Sequence, residues 1–231
     1  MANRIMNSIV VPVGSWATWG EDARSAQPQL GFIEPLLRRR LSFLDRIGLH
    51  VAHACVPEGE SVRMVFASRH GELARSVEMF DQLAADELPS PMTFSLSVLN
   101  AAVGLYSIAR KDCSPTTAVS SGEATFPLAM VEAAAQAWEH PDETVVLAFA
   151  DEPPPPVYGS LIESPRNAHA IALRLDCRKP RVAVHLSWSP GSGSDEPEQA
   201  VWKFARCLAD GAAGSWSGPT HAWHWSRDGQ A

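Results

Sequence analysis

The fifteen residues from Ala124 to Trp138 constrain this chain most, because only Thr125, Glu132 and Gln136 among them are polar. A helix of that composition is apolar nearly all round, so it is expected at the centre of the fold, buried on several faces. Upstream, Ala101, Gly104, Leu105 and Ile108 recur at i, i+3, i+4 and i+7, which predicts a helix opening at Asn100. Pro115 ends the linking turn, and Thr116 to Ser121 is short and rich in strand formers. The junction Ser120-Ser121-Gly122-Glu123 admits two readings. In a capping box Glu123 would only satisfy backbone donors. Pro127 would then fall past the first helical turn, where it removes a hydrogen bond and clashes with the preceding turn. A helix opening between Ala124 and Phe126 places the proline in the first turn and leaves Glu123 on a sharp elbow, so the elbow is favoured.

The rest of the chain alternates strands with helices. Ile9 to Val13 reads as a strand, followed by Trp16 and Trp19, which either frame a small-molecule contact or, as is usual for large aromatics, pack. Pro35 to Arg46 has the pattern of one amphipathic helix, whose Arg38-Arg39-Arg40 triplet reads as a solvated helix end. Val62 to Ala67 is a buried-type strand. From Gly71, Leu73, Val77, Phe80 and Leu83 keep helical spacing up to Leu88, and Thr144 to Ala150 is the next strand. This order predicts an α/β layer fold with a mixed sheet around the buried helix. Asp151 to Pro156 is expected to leave the sheet as extended polyproline. Ala168 to Leu175 and Arg181 to Ser187 are expected to pair as an antiparallel hairpin at the sheet edge. Residues 189–198 read as a mobile loop, Ala200 to Asp210 as a last helix, and Gly214 to Asp228 as a tryptophan-rich tail with one final strand. The chain is therefore expected to be a single domain over 1–231, with edge strands, loop and extension in 151–231.

Composition excludes several functions. A net charge of −7 provides no footprint for nucleic acid. No run reaches the roughly 18 apolar residues that a membrane span needs. Cys55, Cys113, Cys177 and Cys207 lack C-x-x-C spacing, and Ile9 to Val13 is too short for a signal peptide, so a reduced, cytoplasmic protein is expected. His221 and His224 are three apart, a spacing that points them to opposite faces of a strand, and with His185 they make no metal site. Cys113 lies in a polar turn with no base at a recognisable spacing and reads as a tolerated thiol. No cofactor is expected.

The order Asn100-x3-Gly104-x3-Ile108, then Pro115, then a strand leading into a buried helix, resembles the N-terminal half of β-ketoacyl synthases of the thiolase superfamily. The strand Thr144 to Ala150 with Asp151-Glu152-Pro153 is similar to the strand and acidic turn that follow in those enzymes. The phrase Phe66-Ala-Ser-Arg69-His-Gly-Glu-Leu73, with Ser95-Leu-Ser97-Val, resembles the short chain-length factors of aryl polyene pathways. The resemblance covers roughly 60–175. It implies a thiolase-like half-fold in which the elbow normally holds a nucleophilic cysteine; here that position falls on Glu123, which cannot form an acyl thioester, so no catalytic residue is expected. It also implies histidines carried by a second half of the fold, which the chain does not reach. The expected function is a non-catalytic synthase-like subunit, in polyene or fatty-acid-like biosynthesis. It would pair with a full-length ketosynthase, meet acyl carrier protein through that complex, and shape the ketosynthase's acyl pocket. In the family the strand carrying Val119 and Ser121 pairs across the dimer axis, and the segment before Asn100, with Met92, Phe94 and Leu96, reaches the partner's pocket floor. The alternative is a decarboxylase or hydrolase acting on carrier-protein thioesters with Glu123 as base; a stand-alone acyl or carrier-protein binding module is a third reading.

Overall fold

The computed structural model describes residues 7–20, 27–159, 161–162 and 165–227. Eight strands form one sheet: β1 Asn7–Trp19, β2 Arg63–Ala67, β3 Thr116–Val119, β4 Val145–Asp151, β5 His169–Leu175, β6 Val182–Pro190, β7 Gly214–Ser217 and β8 His221–Arg227. The helices are α1 Pro35–Arg38, α2 Phe43–Cys55, α3 Leu73–Ala84, α4 Pro91–Ser95, α5 Ala101–Arg110, α6 Thr125–Glu139 and α7 Pro197–Asp210. Strand order is β3-β2-β4-β5-β1-β6-β8-β7. Pairing of β2 with β3 and β4 is parallel, and every other pairing is antiparallel, so the sheet is mixed as expected.

At β2, β4 and β5 both faces of the sheet are buried, and side chains alternate between them with the period of two that a pleated strand imposes; at β6, β8 and β7 one face is exposed, at His185, His224 and Ser215. On β4, Val145, Leu147 and Phe149 enter the core under α6 and α7, while Val146, Ala148 and Ala150 enter the core under α2 and α5. Small residues permit close layers on the second face. A Cβ at Gly48 of α2 would lie 2.9 Å from Phe66 Cε2, so that helix rests directly on the sheet.

Several expectations are corrected. The helix predicted over Pro35 to Arg46 breaks into α1 and α2, because Ser42 starts a new helix: its hydroxyl accepts from Asp45 N–H (3.0 Å) and Asp45 Oδ2 accepts from Ser42 N–H (3.1 Å). This capping box outweighs the continuous apolar spacing. β5 and β6 do not form an edge hairpin, because β1 lies between them and pairs with both. Their connection crosses β1 at its middle, where Asp176 N–H and Arg181 N–H donate to Pro12 O and Val13 O, both at 2.8 Å. The polyproline exit is shorter than expected, since Asp151 belongs to β4 and Pro156 starts a 3-10 turn ending at Tyr158. The tryptophan-rich tail supplies two strands; its Asp228 lies outside the described residues. Segment 191–196, within the expected loop 189–198, is tied to the β7–β8 hairpin: Gly193 N–H donates to Gly218 O (2.8 Å) and Asp195 Oδ2 accepts from Ser217 N–H (3.1 Å). Trp19 packs edge-on to Phe43 at 5.5 Å and Trp16 lies under Arg181 at 5.0 Å. α6 is central, but one stripe of it faces out, with Ala135 and Trp138 exposed.

Candidate functional site at the elbow between β3 and α6

The elbow is built by local chemistry. Gly122 has φ +58, a left-handed conformation that glycine adopts without a Cβ penalty. Thr125 Oγ1 closes the turn, accepting from Ser121 N–H (2.9 Å) and donating to Gly122 O (2.6 Å). α6 then begins at Thr125 with Ala124 as its cap and no side-chain cap bond, and Pro127 stands in its first turn. The Ser120 to Glu123 capping box is therefore not formed. Glu123 sits on the elbow, beside the end of α6 whose backbone N–H groups favour a carboxylate.

A second loop brings a cation to it. Asp151 at the end of β4 is buried and accepts from Ser68 Oγ (2.7 Å), Arg69 N–H (2.9 Å) and His70 N–H (3.2 Å). Ser68 Oγ in turn accepts from Gly71 N–H (2.8 Å), and Ser120 Oγ donates to Arg69 O (3.2 Å). These bonds fix the loop after β2 so that Arg69 Nη2 lies 3.8 Å from Glu123 Oε1. The ion pair separates two clefts. One, of about 480 Å³, is lined by Arg69, Glu123, Leu128, Trp188, His221 and Trp223 among others. The other, of about 340 Å³, runs from the same pair to Leu161, Ile162, Asp195 and Pro219. Trp188 and Trp223 stack at 5.2 Å, which gives the larger cleft an aromatic wall.

Behind the elbow, burial pushes Glu152 up to about 7, helped by the nearby charges of Glu72 and Asp151. His169, paired with Asp151 across β4 and β5, is held below the usual imidazole range by burial, which Asp151 opposes. It packs between Phe149 and Trp202.

The other sequence-derived residues are dispersed. Met92 and Phe94 on α4 are exposed, Phe94 by 67%. Leu96 is turned inward against the core under α2 and α5. Asn100 is exposed at the start of α5 and makes no side-chain cap bond. β3 is the edge strand of the sheet. Val119 O accepts from Ser68 N–H (3.2 Å) and Pro115 O from Met64 N–H (3.1 Å), so those residues face β2. By strand alternation Thr116 and Ala118 turn their N–H and C=O groups to the open edge. Cys113 is an exposed thiol in the turn after α5. Among the described residues no group of His, Cys, Asp and Glu could hold a metal ion. His221 instead lines the larger cleft, and His224 lies in a separate one beside Lys203 and Arg206. Sequence reasoning missed the convergence of Arg69, Trp188, His221 and Trp223 on Glu123. Only the adjacency of Arg69 to the strand end after Ala67 signalled any of it.

A family model described as "Beta-ketoacyl synthase, N-terminal domain" matches residues 16–226. The chain belongs to the β-ketoacyl synthase family. Among solved structures, "Ketosynthase (ApeO) in Complex with its Chain Length Factor (ApeC) from Xenorhabdus doucetiae" aligns to this family member with TM-score 0.81 and 21% identity, over 95% of this chain and 100% of that chain. "The ishigamide ketosynthase/chain length factor" aligns with TM-score 0.55 and 14% identity, over 76% of this chain and 65% of that one. At these identities the likeness is one of fold, and it is thiolase-like, as the resemblance implied. No curated protein matches the sequence. Among the described residues no helix is long and apolar enough to cross a membrane.

Proposed function

We infer that this chain is a non-catalytic ketosynthase-like subunit, a chain-length factor. It pairs with an active ketosynthase and shapes that enzyme's acyl pocket in polyene or fatty-acid-like biosynthesis, with acyl carrier protein reaching it through the complex. The observation that carries the reading is the carboxylate of Glu123 on a strand-to-helix elbow, the place where the family pattern aligns a cysteine. A carboxylate there forms no thioester, and its neighbour Arg69 engages it as an ion pair. Two features support a partner: the outer edge of β3, which pairs with no strand among the described residues and is an association hazard when left alone, and the outward side chains of Met92 and Phe94. The X. doucetiae chain that this one matches along its whole length comes from a complex of a ketosynthase with its chain length factor.

The test is co-expression of the tagged chain with a full-length ketosynthase and a carrier protein. A stable one-to-one complex that makes ketoacyl product, with no turnover of malonyl or acyl carrier protein by the chain alone, is expected. Turnover by the isolated chain that is lost in Glu123→Gln would instead establish the decarboxylase or hydrolase.

A further inference from the structure

From Ser76 to Ala109 the sequence has no lysine, arginine or histidine and four carboxylates, Glu78, Asp81, Asp86 and Glu87. All four are exposed. The same stretch carries Phe80, Leu83, Leu88, Met92, Phe94 and Val98, with exposures from 46% at Val98 to 91% at Leu88. α3 is responsible for much of this. Its apolar residues keep helical spacing, yet Met79 is its only buried side chain: Leu73 and Val77 are half-buried, and Phe80 and Leu83 are exposed. A groove of about 460 Å³ runs along the helix between Ala74, Val77, Glu78, Asp81, Gln82 and Ala85.

Exposed apolar side chains of this size contribute on the order of 100 Å² each, so the six amount to about 600 Å², most of the ~800 Å² that a stable interface takes from one partner. Charge selects among occupants. A second copy of this chain would set the four carboxylates against themselves, and an anionic membrane surface would be repelled in the same way. The surface suits a protein with an apolar centre and a basic rim.

We propose that the face formed by α3, α4 and their connection is a docking surface for the ketosynthase subunit, which meets it with apolar side chains rimmed by lysine and arginine. The proposal rests on the heterodimer reading above and extends the contact beyond the β3 edge to α3, whose apolar spacing the sequence shows.

The experiment compares three forms of the full chain against a full-length ketosynthase by titration at 0.1 M and 0.5 M salt. They are the wild type, Phe80→Ser/Leu83→Ser/Leu88→Ser, and Glu78→Lys/Asp81→Lys/Glu87→Lys. Circular dichroism and the thermal midpoint check folding, and exposed side chains predict little change in either. The serine variant is expected to weaken association tenfold or more, since truncating central interface side chains costs over about 1.4 kcal/mol. The lysine variant is expected to weaken it at low salt, with a smaller deficit at high salt. If both variants bind as tightly as the wild type, the docking surface is refuted while the heterodimer stands. If the wild type does not bind, the heterodimer reading falls and this proposal with it. Wild-type self-association that the serine variant abolishes would assign the face to a second copy and overturn the choice of partner.

Discussion

Asp45→Asn changes the proton inventory of a buried carboxylate cluster at the start of α2 and α3. Asp45 is 1% exposed and Glu72 6%. Glu72 Oε1 accepts from Ser42 Oγ (2.6 Å), and Arg75 Nε donates to Glu72 Oε2 (2.8 Å). Arg75 stands farther from Asp45, with Nη2 3.9 Å from Oδ2, and Asp45 Oδ1 has no hydrogen-bond partner among the described residues. Burial is the main cause that pushes Asp45 from 3.8 up to about 7; the charge of Glu72 adds to it, while the Ser42 N–H and Arg75 oppose it. A carboxyl raised on folding contributes stability that is fully present below its unfolded value, 3.8, and is lost as pH rises through about 7. At about 1.4 kcal/mol per pH interval, this group removes roughly 2–3 kcal/mol between pH 5 and pH 8. Asparagine keeps an acceptor for Ser42 N–H and supplies a permanent donor beside Glu72, so the loss should vanish. Urea unfolding at pH 5, 6, 7 and 8 measures it: the wild type should lose roughly 2–3 kcal/mol more than Asp45→Asn over that range. Parallel stability curves would refute the argument.

Ala118→Pro places proline at a β3 residue whose N–H faces the open edge; it should leave the fold intact and abolish co-elution with the ketosynthase, whereas co-elution would place the interface elsewhere. Val119 is the wrong position for this test, because its carbonyl faces β2. Phe94→Ala should lengthen the products of the reconstituted complex by mass spectrometry, at concentrations where the complex still assembles. Each methylene gains about 0.8 kcal/mol when buried, and overpacking a filled site costs about 1–3 kcal/mol. An unchanged product distribution from an intact complex removes Phe94 as the gate. Glu123→Cys should not make the isolated chain a synthase. Among the described residues His221 is the one imidazole lining the larger cleft beside Glu123, and the family chemistry calls for more than a thiol and one base. Ketoacyl product from the purified variant would contradict this.

The elements from Asn100 to Trp138 were legible because each rests on local rules. Apolar spacing marks α5, short β-branched character marks β3, and Pro127 together with Gly122 places the start of α6. Local rules misled where two of them competed, as at Ser42, whose cap interrupts a continuous apolar pattern. On α3 they reach only part of the way, since periodicity reports an amphipathic helix but not what its apolar face meets.

Sequence alone therefore determined the elbow and the carboxylate on it, which depend on neighbours within about one helical turn, and the layered α/β class, which follows from the order of strands and helices along the chain. Tertiary structure alone decided that β1 separates β5 from β6, because the six residues from Asp176 to Arg181 are long enough to cross a strand and no local signal forbids it. It also decided that Arg69 meets Glu123. That contact follows from β2 and β3 lying side by side in parallel, so that the loops leaving both strands emerge at the same end of the sheet, where Asp151 of β4 fixes one of them.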